Sequence, residues 1–185
     1  MGGNPISLSI DMEDTTNRFL VEIDANDRDS VRIACRALVD VMGPVLHNGR
    51  IDGISDFPAQ DLDPAALSAL DQIRERAKTR ALGRKRESPE NLMGIELDLT
   101  KDEDLQILRA FGPWSINAEV YSTQRGSRFS SQDVLCFHDS GWDITAELTD
   151  DEAASLSSLL PSSAKLKRLE PPPSLFTRLF SRRRG

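Results

Sequence analysis

Histidine, cysteine and tyrosine are nearly missing from this 185-residue chain: two His, two Cys and one Tyr. With His47 and His138 the only imidazoles, any Ser-His-Asp or Cys-His centre must use one of them. Cys35 and Cys136 are far apart, one in a helical stripe and one in an apolar strand, so both read as reduced core residues. No apolar run approaches the roughly 20 residues of a spanning helix, so no transmembrane segment is expected. The opening MGGNPISLSID has neither the basic n-region nor the apolar h-region of a signal peptide. Ile6 stands where the myristoylation pattern needs Ser or Thr, and a cytoplasmic chain is the expectation. Phosphate-cradling glycine loops, a dinucleotide fingerprint and a nucleophile elbow are also missing. Lysine is scarce beside arginine, and Ala and Asp are common, a compositional hint of a GC-rich bacterial genome.

What is present in quantity is acid. The formal net charge is −7, and the low pI argues against a general nucleic-acid binder. The charge is unevenly spread. Residues 74–86 (RERAKTRALGRKR) hold seven basic side chains against Glu75, and residues 165–185 hold seven against Glu170. The remainder is strongly acidic. Either the basic segments neutralise the body, by folding back or by pairing two copies in a homodimer, or they address a partner.

Period-2 alternation predicts strands over 6–12 and 19–23, joined as a hairpin by a short polar link. Asn26 or Asp27 caps a helix that carries Val31, Ala34, Cys35, Leu38, Val41 and Met42 on one stripe and stops at Gly43-Pro44. A short strand follows near 51–55. Asp63-Pro64 starts a second helix, which ends around Gly83. Strands are expected over 93–99, 114–120, 134–137 and 142–148. Thr100 with Glu103, and Thr149 with Glu152, read as capping boxes of two further helices, the last ending at Pro161. Strand, acidic cap, helix and proline recur three times. Repeated helix-start chemistry accounts for this as well as an old duplication does. The expected class is α+β: an antiparallel or mixed sheet of five to six strands with three to four helices on one face. The expected domain covers 1–161, with an exposed basic linker at 83–91. Residues 162–185 follow as a Pro-rich spacer and basic amphipathic tail.

Few residues suggest chemistry. Cys136 and His138, two apart on one strand, make a thiol–imidazole pair on the same side. The apolar lead-in VLCF favours a core cysteine instead. Cys35, His47, Cys136 and His138 would be the ligands of a zinc site, but no pair has finger-type spacing. The run from Asp24 to Asp29 lacks the glycine and terminal glutamate of a calcium loop, and helix capping accounts for it. No metal or cofactor is expected. Trp114 and Trp142, at strand starts, read as core aromatics unless one is exposed as an interaction hot spot.

The tail is the most informative segment. After Pro171, Pro172 and Pro173, a helix would gather Leu175, Phe176, Leu179 and Phe180 within an arc of about 140°, with Arg178 and Arg182 beside it and Arg183 and Arg184 beyond. Such a segment is too short to span a bilayer but can lie on an anionic surface or in a partner's groove. Locally, LFTRLFSRRR resembles the membrane-targeting tail of the Min-system division-site ATPases, over about ten residues. The resemblance implies a mode of surface attachment; the rest of the chain has no ATPase loop. The chain is therefore expected to be a non-catalytic, acidic protein-interaction module of adaptor or immunity type, with a basic protein as the favoured partner. The alternative is a peripheral inner-membrane factor held by its tail.

Overall fold

Strand alternation decides which face of the sheet is buried. The computed structural model describes residues 15–24, 26–54, 59–84, 88–122 and 133–170. Its strands are β1 (Asn17–Glu22), β2 (Asn48–Asp52), β3 (Ile95–Asp98), β4 (Asn117–Tyr121), β5 (Asp133–His138), β6 (Asp143–Leu148) and β7 (Lys165–Arg168). Its helices are α1 (Arg28–Met42), α2 (Pro64–Gly83), α3 (Asp102–Phe111) and α4 (Asp150–Leu159). The strands form one antiparallel sheet ordered β3-β2-β4-β5-β6-β1-β7. The α+β class is as expected, with seven strands rather than five to six. Ile51, Ala118, Phe137 and Ile144 are ladder neighbours on one face, as are Leu135, Ala146 and Phe19, and all are buried. The helices cover this face in the order α4, α1, α3, α2.

Both edges of β1 are taken, by β6 and β7; the strand expected over residues 6–12 lies outside the described residues. The sheet also runs past residue 161, where the domain was expected to end. β7 is a short run, KLKR, whose only apolar side chain is Leu166 opposite Val21. Four residues carry too little alternation to announce a strand.

Local caps form where the chemistry is unopposed. The Asp27 carboxylate accepts the Ser30 amide at 3.2 Å, and that of Asp63 accepts the Ala66 amide at 2.9 Å. The Thr149–Glu152 box closes in both directions. The box expected at Thr100 and Glu103 does not form. The helix starts one residue later, from an N-cap Lys101 with no side-chain bond, because Asp98 captures the Thr100 hydroxyl. The lost cap is worth about 1 kcal/mol. Fully buried Leu108, Ile107 and Phe111 contribute about 1.5–3 kcal/mol each, so packing decides the helix.

Asp104 supplies the order that the cap does not. Buried in the first turn of α3, it accepts the Asp98 amide at 2.7 Å and forms a two-pronged pair with the Arg76 guanidinium of α2. One carboxylate thus ties α2, α3 and β3 together. Burial alone would raise its pKa; the Arg76 hydrogen bond and the Asp98 amide outweigh that and hold it below the ordinary carboxylate value. Much of the basic run is used internally in the same way. Arg74 and Lys78 pair with Asp71 and Glu75. Arg80 donates to the carbonyls of Asn91, Met93 and Gly94 at 2.8–3.0 Å.

Both α1 and α3 end in Gly-Pro and one 3-10 turn, Gly43–Val45 and Gly112–Trp114. Gly43 and Gly112 keep helical φ, −41° and −47°, so conformation does not demand glycine there. Space does at Gly112, where a Cβ would lie 2.9 Å from the Phe137 ring.

Asp104→Ala is expected to cost about 2–3 kcal/mol, since it strands a partly buried guanidinium and an amide. A fall in the urea midpoint measures this. Arg76→Ala should cost a similar amount, and the double variant less than the sum. Because the folded pKa is lowered, this stabilisation is full above the unfolded pKa near 3.9 and is lost as pH falls through the folded value. The Asp104→Ala deficit should therefore shrink in acid.

Candidate functional site

The face of the sheet turned away from the helices is polar. Asn117, Glu119 and Tyr121 of β4, Cys136 and His138 of β5, Thr145 of β6 and Arg18 of β1 project there by ladder register. Cys136 Sγ lies 3.0 Å from His138 Nε2 and 3.8 Å from Asn117 Oδ1. The i, i+2 pair expected from the sequence is thus formed. Its electrostatics oppose nucleophilic chemistry. Cys136 is buried, and burial, followed by the Asp133 and Glu119 carboxylates, pushes its thiol up to about 12. A reactive cysteine needs the reverse, an accessible thiolate in a positive setting.

The surrounding groups satisfy one another. Glu119 accepts the Tyr121 hydroxyl at 2.7 Å and the Asn117 amide at 3.1 Å, which hold its carboxyl below the ordinary range. Burial first, then the same Glu119 contact, pushes Tyr121 up to about 12. Arg18 donates to Asp133 at 2.9 Å and to Thr145 at 3.1 Å. This network fastens β1, β4, β5 and β6 laterally.

The four zinc candidates do not meet. Cys35 is buried on α1, beneath the helix-covered face, while Cys136 is on the opposite face. His47 stands just before β2 with Nδ1 2.9 Å from the Val45 carbonyl. Among the described residues no three His, Cys, Asp or Glu side chains are placed to hold a metal ion. Asp24 binds the amide and side chain of Asn26, and Asp27 caps α1, as helix capping requires.

The two tryptophans separate. Trp114 is buried under two guanidinium groups, Arg28 at 4.8 Å and Arg32 at 5.9 Å from the ring centroid. Trp142 is 67% exposed. It follows the β5–β6 turn, where Asp139, Ser140 and Gly141 take φ of 47°, 57° and 91°. Such a run of left-handed residues persists only when held, and here it is. The Gly141 and Trp142 amides both donate to the His138 carbonyl, at 2.9 and 3.0 Å. The Asp139 amide donates to Ile116 and that of Ser140 to Ser115. Arg28 reaches over to the Ser140 carbonyl at 2.6 Å. A Cβ at Gly141 would lie 2.3 Å from Val31 Cγ1, so the turn sits directly on α1.

Three further large apolar side chains are exposed at the same end of the sheet. Ile54, Leu82 and Met93 are 40%, 90% and 44% exposed. Gly53 N donates to Leu92 O at 3.1 Å, Ile116 N to Asp52 O at 2.9 Å, and Asp139 N to Ile116 O at 2.7 Å. Arg80 binds the end of α2 to residues 91–94. These links put Ile54, Leu82, Met93 and Trp142 at one end of the sheet, where β2 and β5 stop and β3, β4 and β6 begin. Sequence alternation does not reveal this shared placement, because it depends on strand order. The one local signal is the turn-forming Asp139-Ser140-Gly141 before the indole. The tail residues Leu175, Phe176, Arg178, Leu179, Phe180, Arg182, Arg183 and Arg184 lie outside the described residues.

At pH 8.5 the native protein should react with iodoacetamide at least about tenfold more slowly at Cys136 than an ordinary thiol of pKa near 8.5, and at the ordinary rate once unfolded in urea. Peptide mapping after timed labelling reads the site. Native labelling at the free-thiol rate would contradict the assignment. No protein-family profile, curated protein or solved structure matches the chain, so its candidate site rests on the geometry of its own residues.

Proposed function

We propose that this chain is a non-catalytic protein-interaction module, of adaptor or immunity type, in a bacterial cytoplasm. The carrying observation is the exposed Trp142 at the end of the sheet, on a turn locked against α1. An exposed indole on a rigid support binds with little loss of conformational freedom, and tryptophan is prominent among interface hot spots. The acidic excess of the body suits a basic partner and rapid, salt-sensitive encounter. The protonated, buried Cys136 supports a non-catalytic reading.

Affinity purification from the native cell, comparing the full chain with Trp142→Ala, tests this. A stoichiometric partner should be captured by the parent and depleted at least tenfold by the variant, with unchanged thermal unfolding. Equal capture by both would remove Trp142 from the interface, and no partner would remove the reading.

A second reading, a peripheral membrane factor, draws support from the sequence of residues 174–185, with its Phe-Leu arc and four arginines. Each basic residue near an anionic surface contributes about 1 kcal/mol. No helix among the described residues is long and apolar enough to cross a membrane. The full chain should float with vesicles containing phosphatidylglycerol, and a variant with Arg178, Arg182, Arg183 and Arg184 changed to Ser should not. Failure of the parent to float would end this reading.

A further inference from the structure

We infer that Trp142, with Asp139 and Asp143, receives a guanidinium group, so that the partner presents an arginine side chain to this turn. The inference rests on the interaction-module reading and specifies its chemistry. Three observations carry it.

The indole is exposed on a fixed turn, which leaves a π-face to solvent. Aromatic faces attract cations, and tryptophan does so most strongly. Next, Asp139 and Asp143 are both exposed, and neither carboxylate makes a hydrogen bond or ion pair. Elsewhere the chain commonly engages its carboxylates, as at Asp40 with Arg109, Asp63 with Arg36, Asp104 with Arg76 and Asp133 with Arg18. Two uncommitted acids one and three residues from an exposed indole supply the acceptors that a cation stacked on the ring would need. Finally, the chain's other indole, Trp114, is itself covered by Arg28 and Arg32. The same combination is thus completed internally at one tryptophan and left open at the other.

Arginine fits better than lysine. A planar guanidinium stacks on the ring while its in-plane N–H groups reach carboxylates at the rim, whereas an ammonium is a compact, strongly hydrated charge. Met93 and Ile54, exposed at the same end of the sheet by β2 and β3, add apolar surface for the aliphatic parts of a basic segment that runs along it.

The test is two-dimensional 1H–15N NMR of the full chain, which has two indole N–H signals, the Trp142 signal being assigned by its loss in Trp142→Phe. N-acetyl-arginine amide and N-acetyl-lysine amide are titrated separately. The Trp142 signal is expected to move with the arginine probe, at least threefold less with the lysine probe, and to fade with added salt. In Asp139→Asn/Asp143→Asn the response should weaken at least threefold, while the buried Trp114 signal stays still throughout. A Trp142 signal that moves no more than that of Trp114, or an undiminished response in the double Asn variant, overturns the inference. If it is overturned while Trp142→Ala still depletes the captured partner, the module reading stands and only the guanidinium assignment falls.

Discussion

The contact between Gly112 and Phe137 is the one on which the candidate surface depends. Phe137 is fully buried on the central strand β5, and only a residue without a side chain lets the end of α3 settle onto its ring. That approach sets the height of the 3-10 turn Gly112–Trp114 above the sheet. The carbonyls of Trp114, Ser115 and Ile116 in turn receive the Ser140 hydroxyl, the Ser140 amide and the Asp139 amide. The β5–β6 turn is thereby held in its left-handed conformation, and Trp142 is presented from it. A side chain at position 112 would act on the exposed indole through this relay rather than through any contact of its own.

Elements with strong local chemistry were legible in the sequence. The caps at Asp27, Asp63 and Thr149, the Gly-Pro stops and the alternating cores of β4, β5 and β6 follow from side chains and spacing alone. Thr100 was misleading because its hydroxyl had a competing acceptor, Asp98, and because the decisive bond, Asp104 to Arg76, links residues 28 positions apart. β7 was hidden by its brevity. The Cys136–His138 approach was readable from strand period. The upward push on the thiol was not, since burial and the neighbouring Asp133 and Glu119 are products of tertiary packing. The apolar sheet end was invisible because Ile54, Leu82, Met93 and Trp142 are scattered along the chain and come to one end of the sheet only through strand order.

The charge pattern also changes meaning in three dimensions. As a linear run, residues 74–86 look like an address for an anionic partner. In the fold, Arg76 and Arg80 fasten α2 to α3 and to the entry of β3, and Arg74 and Lys78 lie in bridges along the helix. These contacts tie much of the positive segment into the scaffold.

The position of β1 has a consequence for how the chain acquires its structure. Its ladder partners are β6 and β7, so the first described strand is zipped in on both sides by the last two. During synthesis β1 emerges early and waits, unpaired, for well over a hundred further residues. Contacts of such long sequence separation carry a large loop-closure cost and slow the final step of folding. Until β6 leaves the ribosome, Phe19 and Val21 lack the neighbouring strand that joins β1 to the sheet, and the second edge of β1 waits longer still, for β7; the nascent chain is exposed to aggregation for longer than its modest length would suggest.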